Sequence, residues 1–339
     1  MSNEEEGSER SVLVYRMGSL GDTVVCLPVF NAIARRYSGR RKVLLTNAPV
    51  ASNAAPLQSI LGEGTGFFDA AIVYPTRLRD VRAAIALIRS LRAERISTVL
   101  YLMPSRGYAA MVRDWLFFKL GGAREVVGLP FGARGRHLVN SSTGELEREA
   151  LRLTRAVASW EVVDPTDPTA WDLKLSEHER NAGALAVSQL GDRFLAVNMG
   201  GKAAAKDWGE QNWLDLAQQI SVRDPGLGLL VVGAPVDSER GERFARHWVG
   251  PTAVACHLTP RESAAALSRA TLFIGHDSGP LHLAAAVGTA TVGLFGNYNE
   301  PAMWHPFGEH ATVIHEMEGI AAITVERVVA EIERALVTL

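Results

Sequence analysis

Three short loops hold most of the residue types that can do chemistry in this sequence. The first, MGSLGDT at residues 17–23, has Gly18 and Gly21, which permit tight turns and close ligand approach, with Ser19 between them and Asp22 at the start of a helical pattern. A carboxylate there can cap the helix by accepting orphan backbone N–H bonds, or it can serve as a general base toward a hydroxyl nucleophile. The second loop, NMGGKAAAKDW at residues 198–208, offers Gly200 and Gly201 with Lys202 and Lys206. Exposed backbone N–H groups and mobile ammonium charges suit phosphate oxygens, although lysines beside a turn are also ordinary solvated surface. The third, IGHDSGPLHL at residues 274–283, runs straight into an alanine-rich helix. Asp277 or Ser278 can cap that helix, Pro280 suits its first turn, and Gly279 lets an anion reach its free N–H groups and positive dipole end. A diphosphate fits such a terminus. His282, inside the first turn, can donate to the same oxygens or be a satisfied structural residue.

The elements that must carry these loops follow from periodicity. Short β-branched runs at 12–16, 42–46, 70–74 and 98–102 alternate with Ala/Arg/Leu-rich helical segments, and after a helix at about 145–160 the alternation restarts at 194–198, 228–233, 271–275 and 289–296. This is βαβ order, which predicts parallel sheets covered by helices on both faces, with ligands beyond the carboxyl ends of the strands. The DPTDPTAWDL stretch between the halves, with Pro165 and Pro168, reads as a linker. The expected organisation is therefore α/β: a first doubly wound domain over 11–164, a second over 165–323, and a terminal helix over 324–339. In that helix Val325, Val328, Val329, Ile332 and Leu336 make one apolar face, which is expected to pack back across the first domain.

A chain of 339 residues exceeds what one core usually organises, which agrees with two domains facing a cleft. With 47% hydrophobic and 21% charged residues and a net charge of -2, the chain is ordinary globular protein and a poor nucleic-acid partner. Cys26 and Cys256 lie in separate apolar runs, as buried thiols in a reducing compartment do. The first ten residues, with Glu4, Glu5 and Glu6, lack the build of a secretory signal, and no window approaches the ~18–20 apolar residues of a membrane span. A cytoplasmic location is expected. The first loop lacks G-x-G-x-x-G spacing, and no acidic residue closes the second strand, which argues against a dehydrogenase.

The segments VLVYRMGSLGDTVVCLPVFNAIARRY and GHDSGPLHLAAAVGTATVGLFG, together with the loop at 198–208 and GAPVDSERGERFA, resemble glycosyltransferase family 9, the bacterial heptosyltransferases of the lipopolysaccharide inner core. The resemblance spans nearly the whole chain. It implies the GT-B fold of two Rossmann-like domains, acceptor held mainly by the first and donor by the second, and transfer with inversion. Asp22 matches the family's catalytic aspartate and Lys206 the lysine on the donor diphosphate. Asp277, Ser278, Gly279 and His282 match the nucleotide-diphosphate loop, and Glu239 an acidic position expected on the ribose, with Asp237 as its rival. No cofactor is implied, and no carboxylate or His/Cys cluster suggests a metal, so metal-independent transfer is expected, with an ammonium and fixed N–H groups receiving the leaving charge.

The resemblance makes a nucleotide-diphosphate sugar the donor, with ADP-heptose leading, and a glycan or glycolipid the acceptor. The sequence departs from the family pattern at Gly200, Gly201 and Lys202, where hydroxyl residues are common, which bears on the donor sugar and not on the fold. Arg106, Arg113, Lys119, Arg124, Arg134, Arg136 and His137 bias the later first domain toward an acidic acceptor, although surface solvation explains many of them. Met111, Trp115, Leu116, Phe117 and Phe118 form either a core face or a peripheral contact with the cytoplasmic side of the inner membrane. Two other classes share the third loop: a nucleotide-sugar epimerase of the same fold, and a binding module without catalysis. An epimerase converts donor alone, whereas a transferase needs acceptor and releases nucleotide diphosphate.

Overall fold

The structure is a computed structural model that describes residues 10–48, 55–74, 80–131, 136–201 and 203–338. It divides into two compact units, Met1–Trp171 and Asp172–Leu339. In the first unit, β1 (Ser11–Tyr15), β2 (Lys42–Asn47), β3 (Ala70–Tyr74), β4 (Ile96–Tyr101) and β5 (Glu125–Val127) form one sheet in the order β3-β2-β1-β4-β5. All its pairings are parallel. β1, β2 and β4 are buried at every position, which is why their middles are runs of consecutive β-branched and aliphatic residues and do not alternate. The edge strand β3 alternates in burial instead. Leu13 and Tyr15, like Val43 and Leu45, lie two residues apart and so share one face, where Leu87, Leu91 and Phe118 from the helices Val81–Ala93 and Tyr108–Leu120 join them in one core.

The chain leaves β1 toward β2 and β3, then returns to the other side of β1 for β4. That reversal opens a crevice beyond the carboxyl ends of β1 and β4, the usual ligand position in such sheets. Residues 17–23 issue directly into it.

The second unit repeats the plan with β6 (Phe194–Asn198), β7 (Gly228–Val231), β8 (Thr252–Val254), β9 (Leu272–His276), β10 (Ala290–Phe295) and β11 (Ala311–His315), in the order β11-β10-β9-β6-β7-β8, again all parallel. Its reversal falls between β6 and β9, the two strands that feed the second and third loops. Trp213, Leu216 and Ile220 of the helix Glu210–Arg223 pack on Leu195, Val197, Leu229 and Val231, and Trp208 stands edge-on to Trp213 with centroids 5.1 Å apart.

Every strand expected from the sequence forms, within a residue or two at its ends. The edge strands β5, β8 and β11 were not anticipated: two have only three residues, and none carries an unbroken apolar run. The prolines of 164–173 do not make a free linker. A short turn at Pro168–Trp171 packs on the first unit, with Asn31 Nδ2 donating to the Ala170 carbonyl at 2.9 Å and Trp171 Nε1 to that of Pro165 at 2.8 Å, so the division falls after Trp171. The terminal helix, Val325–Thr338, spends Val325, Val328, Val329 and Ile332 in the core of the second unit, so that face is used there. Both cysteines are buried and free. Among the described residues, no helix is long and apolar enough to cross a membrane.

Candidate active site

Asp22 occupies the third position of the short helix Leu20–Val24, whose N-cap is Ser19. Its Oδ2 accepts from the Ser19 backbone N–H at 2.8 Å and from Ser19 Oγ at 2.9 Å. Its Oδ1 lies 3.8 Å from Arg16 Nη2, and the side chain is 33% exposed. One oxygen therefore anchors the turn, while the other faces Arg16 on a partly exposed side chain. Gly18 is what permits this placement: its φ is +146°, and a Cβ on it would stand 2.3 Å from that of Asp22. Gly18 N also donates to Asn47 Oδ1 at 3.1 Å, tying the loop to the end of β2.

Beneath Asp22 lies an ionic cluster for which the spacing gave no signal. Arg16 and Arg152 are each 1% exposed and Glu149 3%. Glu149 accepts from Arg152 Nε at 2.6 Å and Nη2 at 2.8 Å, from Arg16 Nη1 at 3.3 Å, and pairs with His137 Nε2 at 2.9 Å. Burial alone would raise the Glu149 carboxyl, but hydrogen bonds from Arg152 and His137 and the two guanidinium charges hold it well below the usual carboxylate range. His137 is thus engaged with Glu149. Burial pushes the neighbouring Cys26 thiol up to about 12, so it stays protonated and is no nucleophile.

Other polar residues of this unit are also committed. Arg106 and Arg113 both pair with Asp114, and Arg106 Nη2 reaches the hydroxyls of Tyr15 and Tyr101 at 3.3 Å each. Lys119 lies over the Trp115 ring and donates to the Arg124 backbone carbonyl, and Arg155 donates to that of Arg136, contacts that involve the Arg124 and Arg136 backbones and not their side chains. Arg134 lies outside the described residues.

In the second unit, the second and third loops meet over the carboxyl ends of β6 and β9. Lys206 Nζ is 2.7 Å from Asp277 Oδ2 and 3.2 Å from the Asp277 carbonyl, and it sits over the Tyr298 ring, 4.5 Å from its centroid. Asn299 Nδ2 donates to the same Asp277 oxygen. Ser278 is the N-cap of the helix Gly279–Ala286, but its hydroxyl turns to Asn198 Oδ1 at 3.1 Å and does not cap. Pro280 stands in the first turn, behind Gly279. The helix therefore presents N–H groups at Ser278 and Gly279 beside a lysine, a pairing suited to an anion. His282 is buried, edge-on to Trp304.

His276 joins the two loops from below. Burial pushes its imidazole down to about 4, so it is neutral. Nε2 accepts from Trp208 N–H at 3.1 Å, which leaves the proton on Nδ1, directed toward the Gly200 backbone without a full hydrogen bond. Gly200 has no room for a side chain, since a Cβ would meet Asp237 Oδ2 at 2.4 Å, whereas Gly201 is open. Arg240 Nη1 donates to the Met199 carbonyl at 3.0 Å while its fork grips Asp207 at 2.9 Å through both nitrogens. Lys202 lies outside the described residues.

Of the two acidic candidates, Asp237 lies against Gly200 of the second loop, whereas exposed Glu239 pairs with Arg243 at 2.9 Å. Spacing did not single out Arg16, Glu149, Arg152, His276, Tyr298 or Asn299 as site residues. Apart from the local Glu149–Arg152 pair, their contacts join residues distant in sequence.

The chain matches the family model of glycosyltransferase family 9 (heptosyltransferase) over residues 84–330. It belongs to that family. The match contains the second and third loops and leaves Asp22 outside it. Lipopolysaccharide heptosyltransferase 3 of Escherichia coli is 24% identical over 308 residues, 86% of this chain and 83% of that protein. Among solved structures, a family 9 glycosyltransferase of Veillonella parvula superposes with a TM-score of 0.74 at 19% identity, covering 98% of each chain. An Escherichia coli heptosyltransferase solved with ADP-2-deoxy-2-fluoro heptose superposes at 0.65 and 15% identity, over 96% of this chain and 99% of that one. The fold is accordingly GT-B, and the chain is a glycosyltransferase.

Proposed function

We propose that this enzyme moves a heptose from ADP-heptose to a hydroxyl of a lipopolysaccharide core or related glycan, with inversion at the anomeric carbon. The observation that carries the reading is the convergence of Lys206 with the uncapped N-terminus at Ser278 and Gly279, a cation and free N–H groups in the crevice where a diphosphate binds. The likeness to an enzyme solved with a fluorinated ADP-heptose supports the donor.

In the reaction, the acceptor oxygen bonds to the anomeric carbon as the bond to the diphosphate oxygen breaks. Asp22 Oδ1 takes the hydroxyl proton, and ADP leaves with the charge that Lys206 and the helix N–H groups stabilise. A positioned carboxylate contributes ~10²–10⁴-fold in such a step. Lys206 must exchange part of its pairing with Asp277 for the diphosphate. In this reading the first unit binds acceptor, and Gly200 and Gly201 border the donor phosphates. Ribose recognition falls to Asp237 or Glu239, and the location is cytoplasmic.

The helix Tyr108–Leu120 supports peripheral contact with an anionic membrane that carries the acceptor. Met111 and Phe118 are core, but Tyr108, Trp115, Leu116 and Leu120 are exposed beside Arg113 and Lys119. Vesicles of phosphatidylglycerol should sediment the protein at low salt, and no binding there removes this part of the proposal.

The decisive test is Asp22→Asn assayed with ADP-heptose and a core-oligosaccharide acceptor. Transfer should vanish while donor affinity stays within about threefold, since the diphosphate contacts are untouched. Normal turnover by that variant refutes the assignment. Conversion of donor without acceptor would instead favour the epimerase class.

A further inference from the structure

We infer that Arg16 is the positioning residue for the base, a role that rests on the reading of Asp22 above. Its guanidinium makes contacts with three separate parts of the crevice wall. Nε and Nη2 donate to the Asp22 backbone carbonyl at 3.2 and 2.8 Å, Nη1 donates to the Leu102 carbonyl just past β4 at 2.6 Å, and Nη1 also reaches Glu149 Oε1 at 3.3 Å. β1 and β4 are the strands that flank the reversal, so one side chain spans the floor of the crevice and grips the helix that carries the carboxylate.

A guanidinium this deeply buried costs several kcal/mol in desolvation, and an apolar side chain at the end of β1 would fill the space without that cost. What an apolar residue could not do is fix the Asp22 carbonyl. The helix Leu20–Val24 has only five residues, too short to hold its own orientation without such a tether.

Glu149 is the second half of the device. Clamped by Arg152 and paired with His137, it neutralises Arg16 from the side away from Asp22. When Asp22 takes a proton and loses its charge, Arg16 therefore still has an ionic partner. The cation orients the base throughout the cycle and does not depend on the base's charge to remain paired.

The test compares Arg16→Met and Arg16→Lys with the parent enzyme, using ADP-heptose and a core-oligosaccharide acceptor, with active sites counted by ADP titration. Arg16→Met should lower kcat per ADP-binding site about 10²-fold, the cost of misplacing a reacting group by ~1 Å, with the donor KM within threefold. Arg16→Lys keeps the charge but not the planar fork that reaches all three partners, and should recover about tenfold of that loss, leaving kcat per site about tenfold below the parent. A merely structural role would reduce the number of ADP-binding sites and leave kcat per site unchanged. Wild-type kcat per site in Arg16→Met overturns the inference. If that variant does not fold, wild-type kcat per site in Arg16→Lys overturns it equally. Asp22→Asn, run alongside, separates the two readings. If it turns over normally, the base assignment itself has failed; if it is inactive while both Arg16 variants work normally, only the positioning role has.

Discussion

Replacing Gly18 by alanine probes the placement of the base without touching its chemistry. The added Cβ would lie 2.3 Å from Asp22 Cβ, 2.7 Å from Cγ and 2.9 Å from Oδ2. Carbon atoms in contact sit about 3.5–4.0 Å apart, so the Asp22 side chain must retreat by roughly 1.2–1.7 Å. A displacement of ~1 Å at a reacting group costs about 10²-fold in rate, and kcat should fall by at least that much. The φ of +146° adds backbone strain on the order of 1–3 kcal/mol, which lowers the melting temperature. Gly64→Ala is the control. Its φ is also positive, at +71°, but an added Cβ there meets nothing within 4 Å, so it should lower stability without changing kcat. Initial-rate transfer assays and thermal unfolding on both variants separate the effects. A Gly18→Ala enzyme with kcat near that of Gly64→Ala would show that Asp22 need not occupy this position, and the geometric argument for the base would fall.

If the Lys206 ammonium meets the diphosphate in both the ground and transition states, as proposed, Lys206→Ala should raise the donor KM and lower kcat together; an unchanged donor KM in steady-state assays argues against that contact. His276 supplies a pH dependence. Its folded pKa of about 4 lies below the ordinary value, so the folded state binds fewer protons than the unfolded chain between about 6.5 and 4. Stability should therefore fall as pH drops through that window and level off below it. In His276→Gln, denaturant titrations from pH 7 to 4 should lose that component, and an unaltered pH dependence counts against a buried neutral imidazole.

Much of the architecture was legible because buried parallel strands leave a plain trace. Runs such as VLVY and FLAV are apolar at consecutive positions because the sheet is covered on both faces, and each emerged as a central strand. The short edge strands Glu125–Val127 and Thr252–Val254 left no such trace, since they bury little, whereas the edge strand Ala70–Tyr74 was still read from its AAIVY run. The proline-rich 164–173 stretch looked like a spacer because composition reports backbone stiffness, not whether Trp171 has somewhere to be buried. At the site, loop chemistry was readable where it depends on local geometry: glycines that let chain approach chain, and a Ser-Gly-Pro helix start.

Sequence by itself determined the two sheet-building halves, the carboxylate after β1, and the lysine and helix terminus that suit a diphosphate. These features are encoded within a few consecutive residues, where periodicity and turn chemistry operate. Tertiary structure alone decided that Arg16, Glu149 and Arg152 form a buried ionic support under Asp22, that Ser278 turns from capping to hold Asn198, and that His276 braces the second loop at Trp208. Each of those pairings spans strands or loops far apart in the chain, apart from the local Glu149–Arg152 link. A buried charge declares itself only when the fold has removed its water and shown which opposite charge remains.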